Sequence, residues 1–170
     1  MVVAVFGSPT REQNMSQTPS NIQRAAVIGA GTMGRGIVMC LANAGVPVQW
    51  VDNNPQMLEQ ALIAVADTYA HGVRQERIDQ AEADARIARV SAAADYAAIR
   101  DVDLVIEAVY ENLELKQAIF RELDGLLKPE AILASNTSAL DIDAIAAVTG
   151  RPHQVLGLHF FSPAHIMKLL

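Results

Sequence analysis

From residue 24 onward, short runs of aliphatic and β-branched residues alternate with longer stretches in which apolar residues return every three or four positions. That alternation is the sequence form of βαβ units packed around a parallel sheet. The runs Ala25 to Ile28, Val48 to Val51, Ile87 to Val90, Leu104 to Ile106, Ile132 to Ala134 and Val155 to Leu158 are bounded by turn residues and read as strands. Helical periodicity fills Thr32 to Ala44, Pro55 to Arg77, Leu113 to Leu127 and Leu140 to Val148. The pattern predicts an α/β fold: a doubly wound, mainly parallel sheet with a helical arm inserted after the second strand.

Two boundaries carry their own chemistry. Gly45 stands where a left-handed helix C-cap belongs, and Asn54-Pro55 supplies an N-cap followed by proline at the first helical position. The crossover from Asp52 to Ile87 is longer than one sheet-packing helix needs, and Arg74 to Arg86 is polar with thin apolar periodicity. That stretch is expected to project as a helical arm, either a solvated helix pair without a role or a surface facing substrate.

Length and composition narrow the picture. With 170 residues, 51% of them hydrophobic, the chain suits one domain with a sizeable core. Residues 8–21, rich in Ser, Thr, Pro, Gln and Asn, cannot repay their ordering entropy. Residues 1–23 are therefore expected to be a flexible tail or linker, whether an ordinary terminus or a join to something upstream, with the folded domain at 24–170. The net charge of −6 and scattered Lys and Arg argue against a nucleic-acid partner. The apolar opening Met1 to Gly7 is too short to span a membrane. A single cysteine, Cys40, in an apolar helical stretch fits a reducing, cytoplasmic setting. His71, His153, His159 and His165 lack helix-facing pairs and cysteine partners at ligand spacing, so no metal site is expected.

The most specific local pattern is VIGAGTMGRG, in which Gly29-x-Gly31-x-x-Gly34 directly follows one predicted strand and, with Thr32 and Met33, opens a helix. This is the context of a Rossmann dinucleotide turn: Gly29 for the tight turn, Gly31 for close backbone approach to a pyrophosphate, Gly34 for helix–strand packing. The helix N-terminus then offers unpaired N–H groups to the phosphates. The second strand ends in Asp52, about 20 residues beyond the last glycine, where an acid accepts from the adenosine ribose hydroxyls. No arginine follows in Asn53-Asn54-Pro55 to welcome a 2′-phosphate, so NAD is the expected cofactor. Asp52 as a simple helix-capping acid is the plainer alternative. Strand four ends in Glu107-Ala108-Val109-Tyr110-Glu111, beside the glycine loop in this topology, making Ala108, Val109 and Glu111 candidate cofactor-wall residues. Glu111 reads equally as the N-terminal acid of the next helix.

Two further strand ends face the same crevice, Ser135-Asn136-Thr137-Ser138 and His159. Hydroxyl and amide groups can hold a substrate oxygen while an imidazole takes or returns a proton, a combination suited to alcohol oxidation. Singly, the first is an ordinary helix-capping turn and the second a packed histidine.

Taken in order, VIGAGTMGRGI, VDLVIEAVYENLELK, ASNTSALDI and GLHFFSPAHIMKLL resemble the signature segments of 3-hydroxyacyl-CoA dehydrogenases over residues 24 to 170. The resemblance implies oxidation of a (3S)-3-hydroxyacyl-CoA to the 3-oxoacyl-CoA with NAD, as in fatty-acid β-oxidation. It implies that His159 is the catalytic base, that Ser138 hydrogen-bonds the substrate oxygen, that Glu111 and Lys116 lie near the cofactor, and that Asn136 lies in the nucleotide crevice. Ser162 departs from the HFFNP form of the single-function enzymes; HFFSPAH is closer to the multifunctional ones, which implies further domains as partners besides acyl-CoA. In the family a glutamate that orients the histidine and a helical C-terminal domain follow MKLL. Without them the chain is expected to bind NAD and turn over slowly or not at all, and to self-associate through exposed apolar surface. The resemblance also points Arg74, Arg77 and Arg86 of the arm at CoA phosphates. Two other readings are a different Rossmann dehydrogenase and a non-catalytic dinucleotide-binding module.

Overall fold

A computed structural model describes residues 22–167 and 170; most of the expected tail, residues 1–21, and Lys168 and Leu169 lie outside it. Six strands form one sheet: β1 Ala25–Ile28, β2 Val48–Val51, β3 Val90–Ala92, β4 Leu104–Glu107, β5 Ile132–Ser135 and β6 Val155–Gly157. Their order is β3-β2-β1-β4-β5-β6 and every pairing is parallel, so the doubly wound expectation holds and "mainly" parallel becomes wholly parallel. The helices are α1 Thr32–Asn43, α2 Pro55–Arg74, α3 Gln80–Ala88, α4 Leu113–Leu126 and α5 Ile142–Ala146.

The sheet buries both faces because its strands are apolar on both. Val27, Trp50 and Ile106 join a core with Ile37, Val38 and Met39 of α1, while Ala26, Ile28 and Leu133 join another with Phe120 and Leu123 of α4. α1 ends as the sequence predicts. Gly45 has φ +85°, Val46 N–H donates to the Leu41 carbonyl and Gly45 N–H to that of Ala42, a Schellman cap. At the same end of the sheet, ahead of the central strands β1 and β4, the chain is tied down by Gln23, whose backbone N–H, like that of Arg24, donates to Asp103.

Three expected elements differ. The third strand begins at Val90, because Ile87 belongs to the last turn of α3, where it packs on the core beside Ala83. The long helix from Pro55 stops at Arg74, and Asp79 then caps a separate α3 by accepting from Glu82 N–H. The helix read over Leu140 to Val148 is confined to Ile142–Ala146, capped by Asp141. The arm is a helical hairpin that folds back rather than standing clear. Ala83 is 1% exposed, Tyr69 is buried, and the Tyr69 hydroxyl donates to Asn43 of α1 at 2.9 Å. Among the described residues no helix is long and apolar enough to cross a membrane.

Candidate functional site: a dinucleotide crevice

Register decides where the site lies. Parallel pairing aligns Val51, Ile28, Glu107, Ser135 and Gly157 in one row across the sheet. The residues that follow, Asp52, Gly29, Ala108, Asn136 and Leu158, therefore leave the sheet side by side, and β1 and β4 diverge at the topological switch point.

The glycine loop is shaped by what would collide with it. Gly29 has φ +105°, and a Cβ there would stand 2.7 Å from the Ala108 carbonyl oxygen, so this loop and the β4 loop are in direct contact. A Cβ on Gly34 would meet the Gly29 carbonyl oxygen at 1.9 Å, which closes that position to every other residue. A Cβ on Gly31 would meet nothing within 4 Å. Fold packing thus requires Gly29 and Gly34, whereas the space at Gly31 is left to a ligand. α2, α3, α4 and α5 each start with a side-chain cap, but α1 starts at Gly31 and has none, so its N–H groups remain free for an anion. Beside them lies a cavity of about 280 Å3 lined by Gly31, Thr32, Arg35, Met57, Gln60 and Ala61. Thr32 is exposed there, while Met33 is half-buried against the core.

Asp52 accepts from Ala30 N–H at 2.6 Å and from Asn54 N–H at 2.8 Å. The carboxylate braces the glycine loop and keeps lone pairs for ribose hydroxyls. The cap of α2 is Asn54, whose side chain accepts from Gln56 and Met57 N–H, while Asp52 holds the Asn54 N–H and faces the nucleotide loop. Glycines, open anion end and acid together fit a dinucleotide.

On the other side of the switch point the wall is built by side chains. Glu107 is fully buried and accepts from Lys116 Nζ at 2.7 and 3.0 Å, from Ser135 Oγ at 2.6 Å and from Val109 N–H at 2.7 Å. Lys116, expected near the cofactor, is 1% exposed, with its ammonium on Glu107 and 3.4 Å from Glu111. Glu111 takes up a capping role at a place the sequence did not suggest. Its carboxylate accepts from Thr137 Oγ1 at 2.5 Å and from the N–H groups of Ser138 and Ala139, and it stands 3.4 Å from Lys116 Nζ. Burial pushes the Glu111 carboxyl up, but the hydrogen bonds from Thr137 and Ser138 and the Lys116 ammonium outweigh it and hold it below the ordinary carboxylate value. Ser138 is exposed at this loop.

His159 is brought to the same place by its neighbours. Leu158 N–H donates to the Ser135 carbonyl at 2.9 Å and Phe160 N–H to Asn136 Oδ1 at 2.9 Å. Asn136, expected in the nucleotide crevice, therefore holds the histidine segment against the serine segment. Ala164 anchors the far side, seated on Gly36 of α1, where a Cβ would meet the Ala164 Cβ at 2.9 Å. The His159 ring is exposed and stacked on Phe161, centroids 4.9 Å apart. Of the arm arginines, Arg86 pairs with Glu82 at 2.8 Å and lies over the Tyr69 ring, while Arg74 and Arg77 are exposed.

Sequence reading missed three participants: Trp50, whose buried indole N–H donates to the Gly29 carbonyl at 2.9 Å, Arg35 in the cavity, and the buried Glu107; Ser135, read with the crevice hydroxyls, is instead buried on Glu107. The signal for Glu107 was present, an acid inside the apolar run LVIEAV with a lysine nine residues on.

Fold and site define a dinucleotide-binding domain of the Rossmann class. The chain belongs to the family described as "3-hydroxyacyl-CoA dehydrogenase, NAD binding domain", which matches residues 24–170. A peroxisomal bifunctional enzyme of Danio rerio is 47% identical over 169 residues, covering 95% of this chain and 22% of that protein. The chain thus spans about a fifth of the length of the curated relatives it matches. Among solved structures, 3-hydroxybutyryl-CoA dehydrogenase from Escherichia coli K12 superposes with a TM-score of 0.85 at 38% identity, covering 87% of this chain and 31% of that one. The dehydrogenase part of multifunctional enzyme 1 from C. elegans gives 0.81 at 28% identity, covering 96% of this chain and 37% of that one. NAD is the cofactor of the family. The relatives are named as peroxisomal, so the cytoplasmic expectation finds no support in them.

Proposed function

We propose that this chain is the cofactor-binding part of an enzyme that oxidises a (3S)-3-hydroxyacyl-CoA to the 3-oxoacyl-CoA in fatty-acid β-oxidation, within a longer multifunctional protein. One observation carries the reading: the hydrogen bonds from Leu158 to Ser135 and from Phe160 to Asn136 join the histidine segment to the serine segment at the end of the crevice away from Asp52. NAD, when bound, supplies the acceptor for the hydride that leaves the carbinol carbon. Ser138 hydrogen-bonds the substrate oxygen, and His159 takes the hydroxyl proton as the carbonyl forms. The exposed N–H groups at Gly31 and Thr32 bind the pyrophosphate, Asp52 orients the adenosine ribose, and Ala108 and Val109 form the wall. Arg74 and Arg77 meet CoA phosphates, while Arg86 is already engaged by Glu82. Because the His159 ring is exposed and, among the described residues, stacked on Phe161 alone, its orientation is weakly fixed, and the chain by itself turns over slowly.

Titration with NADH and then NADPH tests the cofactor half, read by energy transfer from Trp50, which is buried against the glycine loop. Saturable NADH binding with NADPH much weaker is expected; equal binding of the two overturns the role of Asp52. Acetoacetyl-CoA added to the NADH complex tests the substrate half. Slow loss of NADH absorbance, abolished by His159→Ala with NADH affinity intact, is expected. Turnover that persists in that variant overturns the assignment of the base.

A further inference from the structure

Arg35 lies one turn into α1, half-buried, with its side chain in the cavity that Gly31, Thr32 and Gln60 also line. Fold stability is a poor account of a cation at this place. The first turns of a helix carry the positive end of its dipole and disfavour a positive side chain. Arg35 also opposes a second cation: burial, and after it the Arg35 charge, holds the His165 imidazole below its ordinary value. Arg86, Arg89 and Arg151 set their guanidinium groups on carboxylates or carbonyls. Among the described residues Arg35 has neither an ion pair nor a side-chain hydrogen bond.

The cavity supplies the missing half. No acid lines it. Asp52, whose partner Ala30 borders it, is engaged by the Ala30 and Asn54 N–H groups instead. At the uncapped start of α1 stand free N–H groups and the exposed Thr32. The cavity thus joins a guanidinium, a free helix start, a hydroxyl and the Gln60 amide with no anion among them. A phosphate answers this set, because some of its oxygens can accept from the N–H groups while two others meet the guanidinium fork in parallel.

We infer that Arg35 is a phosphate-binding residue of the crevice, whose guanidinium pairs with a phosphate held at the Gly31–Thr32 end of α1. In the reaction proposed above such a phosphate has two sources, the pyrophosphate of NAD and that of the CoA moiety, and binding experiments separate them. The inference rests on the cofactor reading and deepens it. A ligand that reaches Asp52 without carrying a phosphate should not feel Arg35 at all.

Arg35→Met keeps much of the aliphatic stem and removes the charge. Wild type and variant are titrated with adenosine, ADP, NADH and CoA. The variant is expected to melt within about 2 °C of wild type, as for a surface change. It should bind ADP and NADH about tenfold more weakly, the value of a charged hydrogen bond, and adenosine within about twofold. Arg35→Lys, which keeps the charge and loses the fork, should fall between the two. Raising the salt concentration should narrow the gap between wild type and Arg35→Met. A loss confined to NADH and ADP assigns the phosphate to the cofactor, and one confined to CoA assigns it to the substrate; either supports the inference. Unchanged affinity for all phosphate-bearing ligands marks a solvated surface arginine and overturns it, and so does an equal loss for adenosine and ADP, which marks general damage. Should Arg35→Met fail to fold, Gln60→Glu at the exposed rim sets a carboxylate in the same cavity and should weaken ADP and NADH about fivefold with adenosine spared; no weakening there overturns the inference. A wild-type chain that binds no dinucleotide overturns the cofactor reading itself, whereas a wild type that binds NADH, with no loss in the variants, overturns the role of Arg35 alone.

Discussion

The two ends of the crevice are built from different materials. At the β1 end the contacts that matter are backbone: glycines that admit a carbonyl or leave a space, an uncapped helix start, and one carboxylate braced by Ala30 N–H. At the β4–β6 end they are side chains reaching across the sheet, from Glu107 to Ser135, Glu111 to Thr137 and Asn136 to the Phe160 amide. Backbone sites are shaped by local conformation and survive alone. Side-chain sites depend on every element that contributes to them, and a change in one strand is felt in the next.

That contrast can be broken most violently at Gly34. Gly34→Ala places a carbon 1.9 Å from the Gly29 carbonyl oxygen, and backbone cannot retreat cheaply. The expected cost is about 4 kcal/mol or more, a Tm lower by roughly 10 °C, with NADH binding lost. A calorimetric scan superimposable on wild type would mean that α1 is not held against β1 as described.

Asp52→Asn should leave the fold in place at a small cost, because its amide oxygen still accepts from one of the two backbone N–H groups, of Ala30 and Asn54, that the carboxylate holds. It should weaken NADH binding by about 10- to 100-fold and erase the preference over NADPH, the value of a charged hydrogen bond. Retained discrimination in parallel titrations would shift the specificity to another residue. Gly31→Ala is the complement of Gly34→Ala: with nothing within 4 Å of the new Cβ, stability should move by less than about 1 kcal/mol while NADH affinity falls about tenfold. If binding survived this change, the pyrophosphate would have to lie elsewhere.

The smallest effect tests the other end. Glu111 is held below the ordinary carboxylate value, and so are Asp103, chiefly by its Lys128 hydrogen bond, and Asp124, where the Gly150 and Arg151 hydrogen bonds outweigh burial. Between the folded and unfolded values the unfolded chain binds more protons. The stabilisation is therefore fully present above the unfolded carboxylate range, near pH 4, and drains away as pH falls through the lower folded values. Tm should decline from about pH 5 to pH 3, and Glu111→Gln should flatten that decline slightly. A Tm independent of pH across this interval would show that these carboxylates are not protecting the fold.

Much of this was legible without coordinates. Five of the six apolar runs, the glycine spacing and Asp52 all report local rules, as do Gly45 and the Asn54-Pro55 start, and these stand where they were read. The third strand was misplaced because Ile87 fits either an apolar strand or the last turn of a helix, and only the packing of α3 on the core separates these. That the Lys116 ammonium is buried on Glu107 was not legible, because its place in the sequence says nothing of which way its side chain turns.

By itself the sequence determined the class of fold, the place of the nucleotide turn and the kind of cofactor, since each depends on conformations and spacings within a few residues. Tertiary structure alone decided that Glu107, Lys116 and Ser135 form a buried hub, that Glu111 caps the serine segment, and that Asn136 holds the histidine segment beside it. Those pairings join residues up to 28 positions apart, and sheet register, not sequence spacing, brings them within hydrogen-bond reach.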